Sequence, residues 1–317
     1  MNVVQTQILV LVTAVLLDLV LGEPPTAVHP VAWMGSAISF FQKRAPKQGR
    51  LWPFVAGLLL MLCGCAVLFA GGTLLIKGLA MLPRPVEILV TAVLLKTTFS
   101  IRGLLNAGRE VQFVLATGDL TEARQRLSWH LVSRDTTSLT ESQVAAATIE
   151  SLAENTSDSI VAPLLAFVIA GLPGALVYRF INTCDAMLGY RDQEREWLGK
   201  VPARLDDVAN LIPARVTAML LIAAGTLMWQ NPLRATSVWF RDSRLTASPN
   251  AGHPMSAAAG VLNVELEKVG HYRLGAGLRL PDSLDIMRVR QLLLTSAVLA
   301  CASLIGLILI VNGVRQC

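Results

Sequence analysis

From Phe54 to Ile76, and again from Leu292 to Val311, no residue carries a charge. About 20 consecutive apolar residues span the hydrocarbon core of a bilayer. In lipid every backbone N–H and C=O must be satisfied within the protein, so such runs cross as helices or close into a barrel. No alternating strand pattern accompanies these runs, which removes the barrel. The expected fold class is all-α, a polytopic membrane protein with about four to six membrane helices. Composition agrees: 15% of residues are charged, against about 25% in soluble domains. That excludes a soluble two-domain enzyme, a disordered chain and a disulfide scaffold. The five cysteines show no metal-ligand spacing, and the four histidines are scattered. A net charge of +5 could suit nucleic acid. In a membrane protein Lys and Arg gather in cytoplasmic loops instead, and no nucleic-acid partner is expected.

Four weaker apolar runs accompany the two clean ones. Val3–Leu21 contains Asp18, lacks a basic leading segment and reads as a retained helix instead of a signal peptide. Ile88–Leu105 is interrupted by Lys96 and Arg102. Ile160–Val177 holds Pro163 and the break Gly171-Leu172-Pro173-Gly174, and Leu211–Trp229 has Arg215 near one end. Gly57, Gly64 and Gly71 recur every seven residues, which predicts a small-residue face for close helix packing. Lys43, Arg44, Lys47 and Arg50 place the first loop in the cytoplasm. Asp119 with Glu122, and Thr140 with Gln143, predict two helix starts. Residues 1–317 read as a single integral membrane domain whose polar segments, 106–159, 178–210 and 230–290, form helical cytoplasmic loops.

Those polar segments carry the chemistry. Glu150 and Glu154 are four apart and share a helix face, which Asp158 extends if the helix continues. Their mutual repulsion becomes attraction around a hard cation, because Mg²⁺ takes carboxylates together with substrate phosphates. A solvated acidic face is the competing reading. After Ile160–Val177, the fourth apolar run in chain order, Arg179, Asn182 and Asp185 could meet a phosphate or carboxylate, since Arg binds both bidentately. Interfacial anchoring by Tyr178 and Tyr190 is the alternative. Arg204, Asp206, Asp207 and Asn210 form a third group, in which Arg204 and Asp207 could simply pair. Asp18, Glu23 and His29 flank the first span, and ionisable groups there are functional candidates. Ser248-Pro249-Asn250-Ala251-Gly252-His253 is a turn. Neither a P-loop, a dinucleotide fingerprint, a zinc-protease motif nor a hydrolase elbow occurs.

In order along the chain stand Leu17-Asp18, Gly22-Glu23-Pro24-Pro25, His29-Pro30-Val31 and Met34-Gly35. Ser133-Arg134-Asp135-Thr136, Glu150-Ser151, Glu154-Asn155, Asp158 and Ala162-Pro163-Leu164 follow. Then come Gly171-Leu172-Pro173-Gly174, Asn182-Thr183, Asp185, Gly189-Tyr190, Ala203-Arg204-Leu205-Asp206-Asp207, Pro213-Ala214-Arg215 and Ser248-Pro249-Asn250-Ala251-Gly252. Each motif alone is weak, but the ordered set closely resembles the CobD/CbiB family of adenosylcobinamide-phosphate synthases over about residues 10–285. Cys184 and His253 depart from the family pattern, which argues against His253 as a catalytic base.

The resemblance implies an amide-forming ligase of cobalamin biosynthesis in the bacterial inner membrane. It would join adenosylcobyric acid to (R)-1-amino-2-propanol O-2-phosphate, with ATP as cosubstrate and Mg²⁺. Its further partners would be the bilayer and other membrane enzymes of late cobalamin assembly. On that reading Glu150, Glu154, Asp158, Asp185 and Asp206 hold Mg²⁺. Arg134, Arg179, Asn182, Arg204 and Asn250 bind substrate or phosphate, and Asp18, Glu23 or Asp207 takes the amine proton. Two other classes fit the residues: an intramembrane transferase of diphosphates, and a transporter with its site at the broken fourth run. A shared site needs the segments near 133–158, 179–210 and 248–253 on one side of the membrane. Six full crossings would put 178–210 opposite the other two. Either Ile160–Val177 is re-entrant, which Pro163 and the Gly171-Leu172-Pro173-Gly174 break favour, or two short passes lie between residues 144 and 177; Leu211–Trp229 is expected to return likewise.

Overall fold

The computed structural model describes residues 3–190, 192 and 195–314. In chain order the helices are α1 (Val3–Leu21), α2 (Pro30–Arg44), α3 (Leu51–Leu79), α4 (Arg84–Lys96), α5 (Ile101–Ala116), α6 (Leu120–His130) and α7 (Glu141–Thr156). A π turn, Ser157–Val161, leads to α8 (Ala162–Leu188), α9 (Lys200–Ala209), α10 (Leu211–Leu227), α11 (Pro232–Asp242), α12 (Gly252–Leu262) and α13 (Ser283–Val314). Two antiparallel three-residue strands, β1 (Leu266–Lys268) and β2 (Tyr272–Leu274), precede α13. Five helical stretches are long and apolar enough to cross a membrane, and a sixth is added if α9 and α10 count as one span. Leu59, Leu62, Val67 and Leu74 of α3 are each more than half exposed, as expected of side chains that face lipid. This is a multi-pass helical membrane protein.

The chain divides into two compact units. The first comprises Met1–Ser100, Ala162–Ala209 and Ser303–Cys317. Its core holds Met34, Ile38, Met61, Phe180, Cys184, Leu188 and Leu198. Helix α3 packs tightly there, against α8, where a Cβ on Gly64 would lie 2.3 Å from the Phe180 ring, and against the segment before α9, where one on Gly57 would lie 2.1 Å from the Leu198 carbonyl oxygen. Gly71, expected on the same stripe, faces open space, and Gly72 meets Pro173 instead. Packed helices cross at an angle, so a strict seven-residue stripe drifts off the contact line.

The fourth apolar run behaves as its glycines and prolines suggest. Within α8, Ala170 and Gly171 leave helical geometry, with Gly171 at φ +65°. In an uninterrupted helix residues eight apart lie about 12 Å apart. Here a Cβ on Gly174 would fall 2.6 Å from the Ala166 carbonyl oxygen. The chain therefore folds back at 170–171 into a helical hairpin. Pro163 stands just after the π turn, where a regular helix would set its ring against the carbonyl four residues back.

The second unit comprises Ile101–Val161 and Asn210–Ala302. Its core gathers Ala218, Leu221, Ala224, Ala235, Ala257, Val261 and Leu292, and the four alanines among them let α10, α11 and α12 approach closely. The expected cap of α7 is present in full, with the Thr140 hydroxyl accepting from the Gln143 N–H and the Gln143 side chain accepting from the Thr140 N–H. Asp119 caps α6 by accepting from the Glu122 N–H.

Candidate functional site

At the end of α1 the sequence sets two prolines, Pro24 and Pro25, that cannot continue a helix. A short 3₁₀ turn then delivers His29 as the N-cap of α2, its Nδ1 accepting from the Val31 N–H at 3.2 Å. A neutral ring with Nδ1 as acceptor carries its proton on Nε2, which lies 3.1 Å from Glu23 Oε2. The Lys96 ammonium donates to the same oxygen at 3.1 Å and lies 3.8 Å from Asp18 Oδ1. Asp18 is fully buried and Lys96 nearly so. Sequence reasoning treated Lys96 only as a flaw in the third run. The signal was an ionisable residue inside a span, which by default is a functional candidate with a partner to be found.

Burial raises the pKa of Glu23, but hydrogen bonds from His29, Ser100 and Lys96, with the Lys96 charge, outweigh it and hold it at about 2. The folded value lies below the ordinary 4.5, so Glu23 stabilises the fold above that value. The contribution is lost as pH falls towards 2. Thermal unfolding of the detergent-purified protein should show a loss of stability in that window, and Glu23→Gln should flatten that part of the acid slope.

In the same unit, α8 and α9 bring two of the sequence constellations together. Asn182 accepts from Arg179 Nη1 at 3.4 Å and donates to Asp206 Oδ1 at 3.3 Å. Arg204 lies 3.7 Å from Asp207, the local pairing that its spacing allowed, and is largely exposed. Tyr190, Glu196, Lys200, Arg204 and Asp207 line a cavity of about 270 Å³ beside this row. The backbone carbonyl of Asp185 accepts from the Gly189 N–H where α8 ends.

The second unit holds the other candidates. The loop Ser133-Arg134-Asp135-Thr136 is fixed by Asp135 Oδ1, which accepts from the Thr137 N–H and hydroxyl, and by the Thr136 hydroxyl donating to the Arg124 carbonyl. Arg134 thereby comes within 3.8 Å of Glu150 Oε2. Glu150 is only 5% exposed, and its Oε1 is buried with no hydrogen-bond partner. Such an orphaned acceptor is costly unless something fills the gap. The β1–β2 hairpin, which gave no sheet signal in the sequence, pairs Lys268 with Tyr272 and sets both beside this carboxylate. Burial, then the charges of Glu150 and Glu154, push the Tyr272 phenol above its ordinary range. Asp158 lies in the π turn, whose wider winding takes it off the regular helical phase of Glu150 and Glu154.

Asn250 is buried and accepts from Arg215 Nη1 at 3.3 Å. The adjoining Gly252 has no room for a side chain, since a Cβ would lie 2.1 Å from the Ser243 carbonyl oxygen. His253 accepts from Trp239 Nε1 at 3.0 Å. Burial, with Arg215 and Arg244 nearby, lowers its pKa to about 4, so the ring is neutral and structural.

The acidic residues expected around Mg²⁺ thus divide between the units: Glu150, Glu154 and Asp158 in the second, Asp185 and Asp206 in the first. Among the described residues no group of three or more His, Cys, Asp or Glu side chains is arranged to hold a metal ion by itself. Mg²⁺ does not require one, because it is usually held by one or two carboxylates plus phosphates and water. Glu150, with its unsatisfied oxygen, and Glu154 one turn on fit that mode.

No solved structure matches the chain. Cobalamin biosynthesis protein CobD of Dehalococcoides mccartyi (strain CBDB1) is 42% identical over 280 residues, covering 88% of this chain and 90% of that protein. A probable cobalamin biosynthesis protein CobD of Methanothermobacter thermautotrophicus is 41% identical over 300 residues, covering 94% and 97%. The CobD protein of Geobacter metallireducens is 40% identical over 260 residues, covering 81% and 80%. Residues 11–295 match the CobD/Cbib protein family, to which this chain therefore belongs.

Proposed function

We propose that this protein acts in cobalamin biosynthesis as an amide-forming ligase of the bacterial inner membrane. It joins adenosylcobyric acid to (R)-1-amino-2-propanol O-2-phosphate and yields adenosylcobinamide phosphate. The observation that carries this reading is the family match across residues 11–295, with relatives named for cobalamin biosynthesis. The side-chain inventory is compatible with the chemistry.

A free carboxylate does not condense with an amine unaided. In the proposed reaction a substrate carboxylate oxygen attacks the γ-phosphorus of ATP, and ADP leaves. The amine nitrogen then attacks the acyl carbon, the bond to the bridging oxygen breaks, and inorganic phosphate departs with one former carboxylate oxygen. Phosphoryl transfer asks the protein mainly for positioning and charge compensation. Arg134 and Arg179 are suited to phosphate oxygens, because a guanidinium meets them as a planar fork. Glu150 and Glu154 would hold Mg²⁺, which supplies charge neutralisation at the transferring phosphoryl group. The amine must shed a proton as the amide forms. Glu23, held near 2, is a weak base, which leaves Asp18 or Asp207 to accept it.

The test of activation is isotopic. Adenosylcobyric acid labelled with oxygen-18 in the reacting carboxylate should pass one labelled oxygen to inorganic phosphate for each amide made. Release of unlabelled phosphate would exclude the acyl phosphate. A diphosphate-using transferase would instead release diphosphate from its own substrate and leave ATP untouched.

A further inference from the structure

The second unit contains a cavity of about 440 Å³ that the proposed chemistry does not use. Three arginines line it, Arg234, Arg279 and Arg288, together with Gln230, Asn263 and Gln291. The only described acid bonded to these arginines is Asp285, which is fully buried. It accepts from Arg279 at 2.6 and 2.5 Å and from Arg288 at 3.0 Å. Asp282 also lies within electrostatic reach of Arg279, so three guanidinium charges face two carboxylates, only one of which they bond.

Donor supply exceeds internal demand as well. Each guanidinium has five N–H donors. Arg234 gives two bonds, to the Gly260 and Val261 carbonyls, and so caps the end of α12. Arg288 gives one, to Asp285. Asp285 and the α12 carbonyls hold the arginines in place, and the remaining N–H groups, with the side-chain amides of Gln230, Asn263 and Gln291, are available to an acceptor-rich anion.

The position points to where that anion comes from. Arg288 lies in the first turns of α13, just ahead of its uncharged stretch. Leu227, Trp229 and Leu233 stand beside the cavity's Met228, Gln230 and Arg234, and are 63, 96 and 81% exposed. Trp229 has φ +61°, a conformation bulky residues rarely adopt, and it leaves the indole projecting outward. Tryptophan settles at the headgroup level of a bilayer, and arginine near a span end reaches for the same layer.

We propose that this arginine cavity binds a phosphate group at the membrane surface, supplied by an anionic phospholipid headgroup. A free phosphate offers the same oxygens without the acyl chains that Leu227, Trp229 and Leu233 would contact. This assignment does not depend on the ligase reading.

The test uses the full-length protein in a neutral detergent and measures binding by native mass spectrometry and thermal shift. The probes are phosphatidylglycerol, phosphatidylcholine and inorganic phosphate. Wild type should bind phosphatidylglycerol saturably and more tightly than phosphatidylcholine. Losing one charge-assisted contact in Arg288→Gln should weaken it by about tenfold or more, while the amide still donates to Asp285. Arg273→Gln removes an equal charge from the exposed β2 strand, where Arg273 pairs with Glu267, and should leave binding unchanged. Arg234→Gln serves as a second cavity variant, its fold checked by unliganded unfolding temperature. Inorganic phosphate that binds as tightly as the lipid would overturn the lipid source. Equal loss in Arg273→Gln, unaltered binding in Arg288→Gln, or no saturable binding of any probe would overturn the site itself.

Discussion

Replacing Lys96 by methionine is expected to destabilise the protein by about 3–5 kcal/mol, the usual cost of leaving a buried charge without its partner. Asp18 is fully buried, and its carboxylate would lose the ammonium 3.8 Å away. Glu23 would lose one of its donors but keep His29. The sign can be checked by removing the stranded charge too. Asp18→Asn combined with Lys96→Met should recover most of the lost stability, because neutralising both members of a buried pair costs far less than breaking it. Thermal or denaturant unfolding of the detergent-solubilised variants measures this. A single variant as stable as wild type, or a double variant worse than the sum of its singles, would show that the pair is not the anchor described.

Glu150→Gln should have the opposite profile. Its carboxylate is buried, faces Arg134 at 3.8 Å, and has an oxygen bonded to nothing in the protein. Removing a buried, poorly compensated charge leaves stability unchanged or raises it. Ligation should nonetheless fall on the order of a hundredfold or more, the scale seen when a preorganised electrostatic group is deleted from an active site. Loss of turnover without loss of stability distinguishes a functional carboxylate from a structural one. Near-normal turnover in Glu150→Gln would remove it from the reaction.

The spans were legible because their signal is local: length and absence of charge suffice, and α3 and α13 lie where the two uncharged runs predicted. The reversal at 170–171 was legible for a related reason, since Gly and Pro act on their own backbone. What escaped was long-range. Lys96 gains meaning only when α4 comes alongside the end of α1, seventy-three residues earlier at Glu23. Lys268 and Tyr272 reach Glu150 through strands of three residues, too short for a period-two pattern to stand out. The meeting of Asn182 with Asp206 likewise depends on two helices packing, although each motif was visible alone. The Arg234, Arg279 and Arg288 cavity is lined by residues that belong to none of the motifs.

The most direct test of ligation is to incubate the purified full-length protein with adenosylcobyric acid, (R)-1-amino-2-propanol O-2-phosphate, ATP and Mg²⁺, and to weigh the corrinoid by mass spectrometry. The predicted result is a species with the mass of acid plus amine minus one water, formed only when ATP and Mg²⁺ are both present and matched by one ADP. Unchanged adenosylcobyric acid from a folded, lipid-supplemented preparation, or product formed equally without ATP, would contradict it.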